Sequence, residues 1–238
     1  MRLTPILTLT IVLATMVSGC AVRETTLPDH EIDAPRWWRV RYLMHWPEDS
    51  GPLLYRDTLI ANEIVAPVLE TERDAIVAWR MHRRAHRETG GHAFSFLYYS
   101  NAADGPRIAR ELMESPLLER LLAAGVVERA WSEWGRAIED SPIEATSDPS
   151  WSPAMARHWP WFIMGVSETW LRLIADFAGP RATSADVNLE ALDERYLRVS
   201  EAVTERWAGE GGHAFLHHLN AVFGYAPVQT GPDEWQRF

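Results

Sequence analysis

The chain has one cysteine, Cys20, and no lysine. A single thiol excludes an intramolecular disulfide and leaves no spare cysteine for a metal centre. The basic residues, all arginine, number 23 against 33 acids, for a formal charge of −10. An acidic chain without basic runs lacks the surface that phosphate-backbone binding needs, so nucleic acid is not an expected partner. No phosphate loop, dinucleotide fingerprint or Ser-His-Asp arrangement is visible, and no cofactor is expected. The apolar stretch from Leu3 to Val17 is short for a membrane span. What is abundant is tryptophan, with 12 residues in a chain that is 47% apolar. A chain of 238 residues suits one domain with a core built on aromatic anchors.

The N-terminus reads MRLTPILTLTIVLATMVSGC. Arg2 precedes the apolar stretch, and Val17, Ser18 and Gly19 place small residues before the cysteine. This box resembles a bacterial lipoprotein signal. The resemblance implies cleavage after residue 19 and a Cys20 thiol that carries a diacylglyceryl group of palmitate type, with the membrane reached through that lipid. An ordinary secretory signal or a membrane helix is the other reading. Ala21 stands where an aspartate marks inner-membrane retention, so the outer membrane, facing the periplasm, is the expected address in a Gram-negative cell. Residues 20–35, polar with two prolines, read as a lipidated tether. Residues 36–225 read as one domain and 226–238 as a tail.

Within the domain the aromatic and β-branched run 36–46 reads as a strand. Residues 51–71 carry apolar side chains at helical spacing, with Pro67 expected to limit the helix. Residues 74–87 alternate, with Ile76, Ala78, Arg80, His82, Arg84 and His86 on one face. The turn ETGG and a strand at 92–100 complete a hairpin. Residues 104–125 read as two helices, the first capped by Asp104, the second started by Ser115–Pro116 and ended by Gly125. Residues 126–134 alternate again. The fold class is therefore α+β, and the order β-α-β-β-α-β resembles a ferredoxin-like unit. A helix follows from Ser152–Pro153, with Trp159, Phe162, Ile163, Val166, Trp170, Leu173, Ile174 and Phe177 as its apolar stripe and a kink or restart at Pro160. A second helix spans about 186–207 and ends at the GEGG break.

Two features suggest a site. The stretch GEGGHAFLHHLN holds His213, His217 and His218. On a helix, His213, His217 and Asn220 share a stripe while His218 turns to the core. Three readings stand: a metal pair, which is short of ligands; a polar structural stripe; or an anion pocket facing the strand that carries Arg80, His82 and Arg84. That strand is itself either a cationic row for carboxylate or phosphate or a solvated face paired with surface acids. GGHAF also occurs at 90–94, where it enters a strand, which argues for coincidence over duplication.

The elements WWRVRYL, AWRMHRR, GGHAFSF and HHLNAVFG resemble the C-terminal domain of lantibiotic dehydratases, the thiopeptide-type bacteriocin biosynthesis domain, over about 37–225. That family eliminates glutamate from glutamylated Ser or Thr using Arg and His. The resemblance maps its histidine onto His92 and an arginine onto Arg80 or Arg84. It departs at Phe94, Phe96, Leu216 and Ala221, where the family has cationic side chains, and this removes groups that would stabilise developing charge. The expectation is a non-catalytic envelope lipoprotein binding a peptide, an envelope component or a partner protein. The candidate binding residues are Arg80, His82, Arg84, His92, His213, His217 and Asn220. The alternative is a peptide-modifying enzyme of the elimination-domain type working through Arg80, Arg84, His92, His213 and His217 on an acidic substrate. Glycan binding on Trp37, Trp38, Trp46 or Trp161 is a third reading, which burial of these rings would exclude.

Overall fold

Alternation in RWWRVRYLM makes strand β1, Arg36–Met44, two-faced: Trp38, Val40, Tyr42 and Met44 turn inward, while Arg39 and Arg41 turn outward. The computed structural model describes residues 34–87, 90–133, 142–182 and 187–238. The stretch expected to be a signal segment, Cys20 and most of the expected tether lie outside the described residues. Trp134, the expected end of the fourth strand, does so too.

Helix α1 follows β1 in three pieces: Tyr55–Ile60, a π-helical turn Ala61–Val65, and Ala66–Thr71. Pro67 was expected to limit this helix, but the helix continues four residues beyond it. In the π turn the Ala66 N–H reaches back five residues to the Ala61 carbonyl. The widened turn accommodates a residue that lacks an N–H and carries a bulky ring. Strand β2, Ala78–His86, and strand β3, Gly91–Ser100, form the expected hairpin. The strand begins at Ala78, so Ile76 precedes it and packs in the main core instead of sharing the arginine face.

Helices α2, Asp104–Met113, and α3, Pro116–Ala123, lead to β4, Val127–Glu133. The cap of α2 is Asn101, not Asp104: Asn101 Oδ1 accepts from the N–H groups of Ala103 and Asp104. Asp104 instead accepts from Arg107 at 2.7 Å. At Gly105 a Cβ would stand 2.0 Å from the Trp38 ring, so only glycine lets α2 approach β1 this closely. Gly125, at φ +69°, closes α3 as expected.

All strand pairs are antiparallel and the sheet order is β2-β3-β1-β4. This is the order of a ferredoxin-like unit. Helices α4, Pro153–Ala178, and α5, Leu189–Gly211, are added to it. Side-chain caps start both: Ser152 accepts from Met155, and Asn188 from Glu190 and Ala191. Helix α4 runs without interruption through Pro160. Helix α5 docks on α1, where the buried Tyr196 hydroxyl donates to Glu63 (2.5 Å) and accepts from Asn62 (2.6 Å). Helix α4 lies along the free edge of β2, and Ser167 Oγ accepts the Met81 N–H at 3.1 Å. An edge donor that would otherwise face solvent is thereby closed.

One core cluster joins the inward sheet face to α1, α2, α3, α4 and α5, with Val40, Tyr42, Phe94, Phe96 and Tyr98 at 0% exposure. The GEGG sequence was expected to break α5. The helix instead runs through it into a π turn, Gly212–His217, and a short α6, His218–Val222. Gly211 is present for room, because a Cβ there would stand 2.8 Å from the Trp207 ring. The tail forms a two-stranded ribbon, β5 (Val228–Gln229) with β6 (Trp235–Gln236).

Candidate functional site

The outward face of the sheet is cationic. Register places Arg39 and Arg80 on either side of Leu97, and Arg41 and His82 on either side of Ser95. Arg84 follows on β2, and Arg129 and Trp131 are added by β4. Arg39 is paired with Glu133, and Arg41 Nη1 lies 3.6 Å from the same carboxylate. Both Arg41 and Arg129 sit over the Trp131 ring. Among the described residues no carboxylate pairs with Arg80 or Arg84, and Arg80 Nε is buried without a hydrogen-bond partner. Burial lowers the pKa of Arg80. Burial also lowers that of Arg39, with Arg41, Arg80 and Arg84 adding to the effect. For His82 burial is again the largest cause, followed by the field of Arg80, Arg84, Arg41 and Arg39, and its pKa falls below the ordinary value.

At the free edge of β2 this face meets an open groove of 1110 Å³. Residues 80–83 of β2 line its base. Trp159, Phe162, Val166 and Trp170 of α4 form one wall, and Val203 and Trp207 of α5, continued by Phe215 and Leu219, form the other. The apolar stripe read on α4 is largely this wall, with Phe162 46% and Val166 47% exposed. Among the described residues no carboxylate lines the groove, although the chain carries 33. Three hydroxyls that line it are already spent on backbone: Thr58 donates to Tyr55 O, Ser167 to Ile163 O and Thr169 to Gly165 O.

Behind the base of the groove lies a buried charge cluster. Asp57 of α1, fully buried, accepts from Arg83 Nε at 2.8 Å and from His92 Nε2 at 2.8 Å. Arg83 also donates to Leu54 O and lies over the Trp170 ring. His92 Nδ1 has no partner and borders a second, smaller pocket of 470 Å³ that includes Trp46 and Arg87. Sequence reasoning missed Asp57. Its signal was a carboxylate three residues before Ile60 and seven before Ile64, on the apolar stripe of a helix.

The expected site residues divide among different places. Arg80 and His82 line the groove, Arg84 belongs to the outward sheet face, and His92 is buried against Asp57. The C-terminal segment reaches the groove through Phe215, Leu216 and Leu219, while His213 and His217 are not among the lining residues. His213 and His217 were expected to face together, as their stacked rings do, and His218 was expected to turn to the core. The π turn changes the helical phase, and the rings of His213, His217 and His218 stand 5.3–5.4 Å apart, with His218 exposed. Among the described residues no group of three His, Cys, Asp or Glu is placed to hold a metal ion. Asn220 is buried and local, donating to Ala226 O at 2.8 Å while its carbonyl accepts from Tyr225. Trp37 and Trp38, at 1% and 5% exposure, are unavailable as sugar platforms, whereas Trp161 is exposed in the groove. No described helix is long and apolar enough to cross a membrane.

No protein-family model and no curated protein matches the chain. A solved structure of an amidase (hydantoinase/carbamoylase family) from Burkholderia phymatum is similar in part, at 14% identity and a TM-score of 0.28. The match covers 75% of this chain and 48% of that one, so the chain spans about half the length of that protein. At this TM-score the likeness carries no argument about fold or activity.

Proposed function

We propose that this chain is an envelope lipoprotein, anchored through lipid on Cys20, whose α+β domain binds a peptide, a partner protein or another envelope component and does not catalyse a reaction. The observation that carries the binding role is the open groove of 1110 Å³, walled by aromatic and apolar side chains that include the exposed Trp161, Phe162, Val166 and Trp207. Exposed apolar patches of this kind mark interaction sites. The dispersal of Arg80, Arg84, His92, His213 and His217 supports a non-catalytic role. So does the burial at 0% exposure of Phe94 and Phe96, which stand where the lantibiotic-dehydratase resemblance expects cations.

Two variants test this. Cys20→Ala removes the acylated thiol and is expected to abolish membrane fractionation by lipid; a mature chain still acylated and pelleting with membranes overturns the anchor. Val166→Arg fills the groove from an exposed position. It is expected to abolish complementation of the deletion phenotype without lowering the melting temperature, whereas alanine at His213 and His217 together leaves complementation intact. Full complementation by Val166→Arg removes the groove from the function.

A further inference from the structure

We infer that the groove takes a long-chain fatty acid, its hydrocarbon tail lying between α4 and α5 and its carboxylate on Arg80. This rests on the groove being the binding seat, and it names the ligand by chemistry. Two guanidinium groups, Arg80 and Arg83, and the His82 imidazole line the groove, and among the described residues no carboxylate does. In a chain of formal charge −10 that exclusion selects a negatively charged ligand. Of the three, Arg83 is held by Asp57 and the Leu54 carbonyl, and burial, together with the field of the surrounding arginines, disfavours protonation of His82. Arg80 remains: a guanidinium at the base of the groove, with a buried Nε that lacks a partner and no carboxylate paired to it among the described residues. A guanidinium fork matches a carboxylate bidentately.

The rest of the ligand must be hydrocarbon. An extended peptide brings an N–H and a carbonyl at every residue, and each needs a partner once buried. The groove offers few. The Met81 N–H at the strand edge is taken by Ser167 Oγ, and the hydroxyls of Thr58, Ser167 and Thr169 donate to their own helices, which leaves Ser200 and Thr204 of α5 as the other lining hydroxyls, too few for a buried backbone. An acyl chain has no polar group to satisfy, and indole and phenyl walls suit it. The volume of 1110 Å³ lies at the upper end of small-ligand sites, which run to about 1,000 Å³, so one acyl chain is accommodated without rearrangement. A carboxylate, unlike a phospholipid headgroup with its glycerol and second chain, is small enough to meet a guanidinium at the base of the groove.

The test uses the full chain in its own membranes and a diazirine-bearing palmitate as probe. After irradiation the adducts are mapped by mass spectrometry. Adducts are expected on residues 159–173 and 203–219, competed by palmitate and weakened about tenfold both in Arg80→Gln and when the probe is supplied as its methyl ester, the fold-change of one charge-assisted contact. The ester arm uses the unaltered protein, so a folding defect in the variant does not decide the outcome. Equal labelling by acid and ester overturns the inference, because the groove then takes a neutral ligand. Stronger labelling by a diazirine phosphatidylglycerol overturns it in favour of membrane lipid. No adduct in the groove also overturns it, and if Val166→Arg still abolishes complementation, the binding role stands with another ligand.

Discussion

Asp57 illustrates what a single residue carries in this fold. It is an acid on the apolar stripe of α1, at 0% exposure, held between Arg83 Nε and His92 Nε2 at 2.8 Å each. The arrangement keeps a buried carboxylate paired, and it ties α1 to both strands of the β2–β3 hairpin. Asp57→Asn keeps the shape and removes the charge: Arg83 loses its counter-ion, and the one remaining oxygen accepts from His92 or from Arg83 but not from both. Breaking a fully buried pair from one side costs about 3–5 kcal/mol, and the 33% exposure of the Arg83 side chain lowers the expected cost to about 1–3 kcal/mol. The expected outcome is a fall of that size in urea unfolding, with the slope unchanged; a loss below about 1 kcal/mol means that solvent already screens the pair. At this scale the sequence was partly legible. Arg80 and His82 were read as a cationic pair on one strand face, and they line the groove. His213, His217 and Asn220 were read from an ideal helical wheel; His213 and His217 do stack, but the π turn at Gly212–His217 shifts the phase, so that His218 is exposed and Asn220 buried. No periodicity argument detects such a turn, because it changes the period itself.

Elements were the most legible level. The four strands, the helices at 55–71 and 104–123, the Ser152–Pro153 start and the Gly125 stop follow from alternation, capping and turn chemistry. The misreadings were boundaries set by Pro67 and by the GEGG run, where local propensity gave way to a π turn and to one glycine, Gly211, that makes room for Trp207. Less legible was the cover of the α4 stripe. Spacing identifies an apolar face but not what covers it, so a groove wall and a core face look the same in sequence. Ser167 interrupts that stripe for a reason. Its Oγ accepts the Met81 N–H and donates to the Ile163 carbonyl, fastening α4 to the edge of β2. Ser167→Ala leaves a buried edge donor unpaired, with an expected cost of about 1–3 kcal/mol. Amide hydrogen exchange at Met81 is expected to accelerate while exchange in the β1–β3 ladder is unchanged. Equal acceleration across the whole sheet would show instead that the hydroxyl holds up the global fold.

At the scale of the molecule, charge is segregated: a net acidic chain gathers arginines from β1, β2 and β4 on one sheet face, beside the groove. Strand order brings Arg39, Arg41, Arg80 and Arg84 around His82, and burial with their field lowers its pKa below 6.5. The unfolded chain has the ordinary histidine value. Above about pH 6.5 His82 is neutral in both states and contributes nothing to the pH dependence. As pH falls below that, the unfolded state takes up a proton that the folded state refuses, and stability declines until the folded pKa is reached. Removing one of the surrounding cations must therefore raise the pKa. In Arg84→Gln the His82 ring signals in an NMR titration are expected to move toward ordinary behaviour, and the acid-side loss of stability is expected to shrink. The same sign holds for a bound anion: a carboxylate on Arg80 offsets the field, so binding is accompanied by proton uptake at His82 between its lowered pKa and 6.5. Calorimetry in two buffers of different ionisation enthalpy reads that proton directly. Binding without proton uptake in this range places the anion away from the β2 arginines.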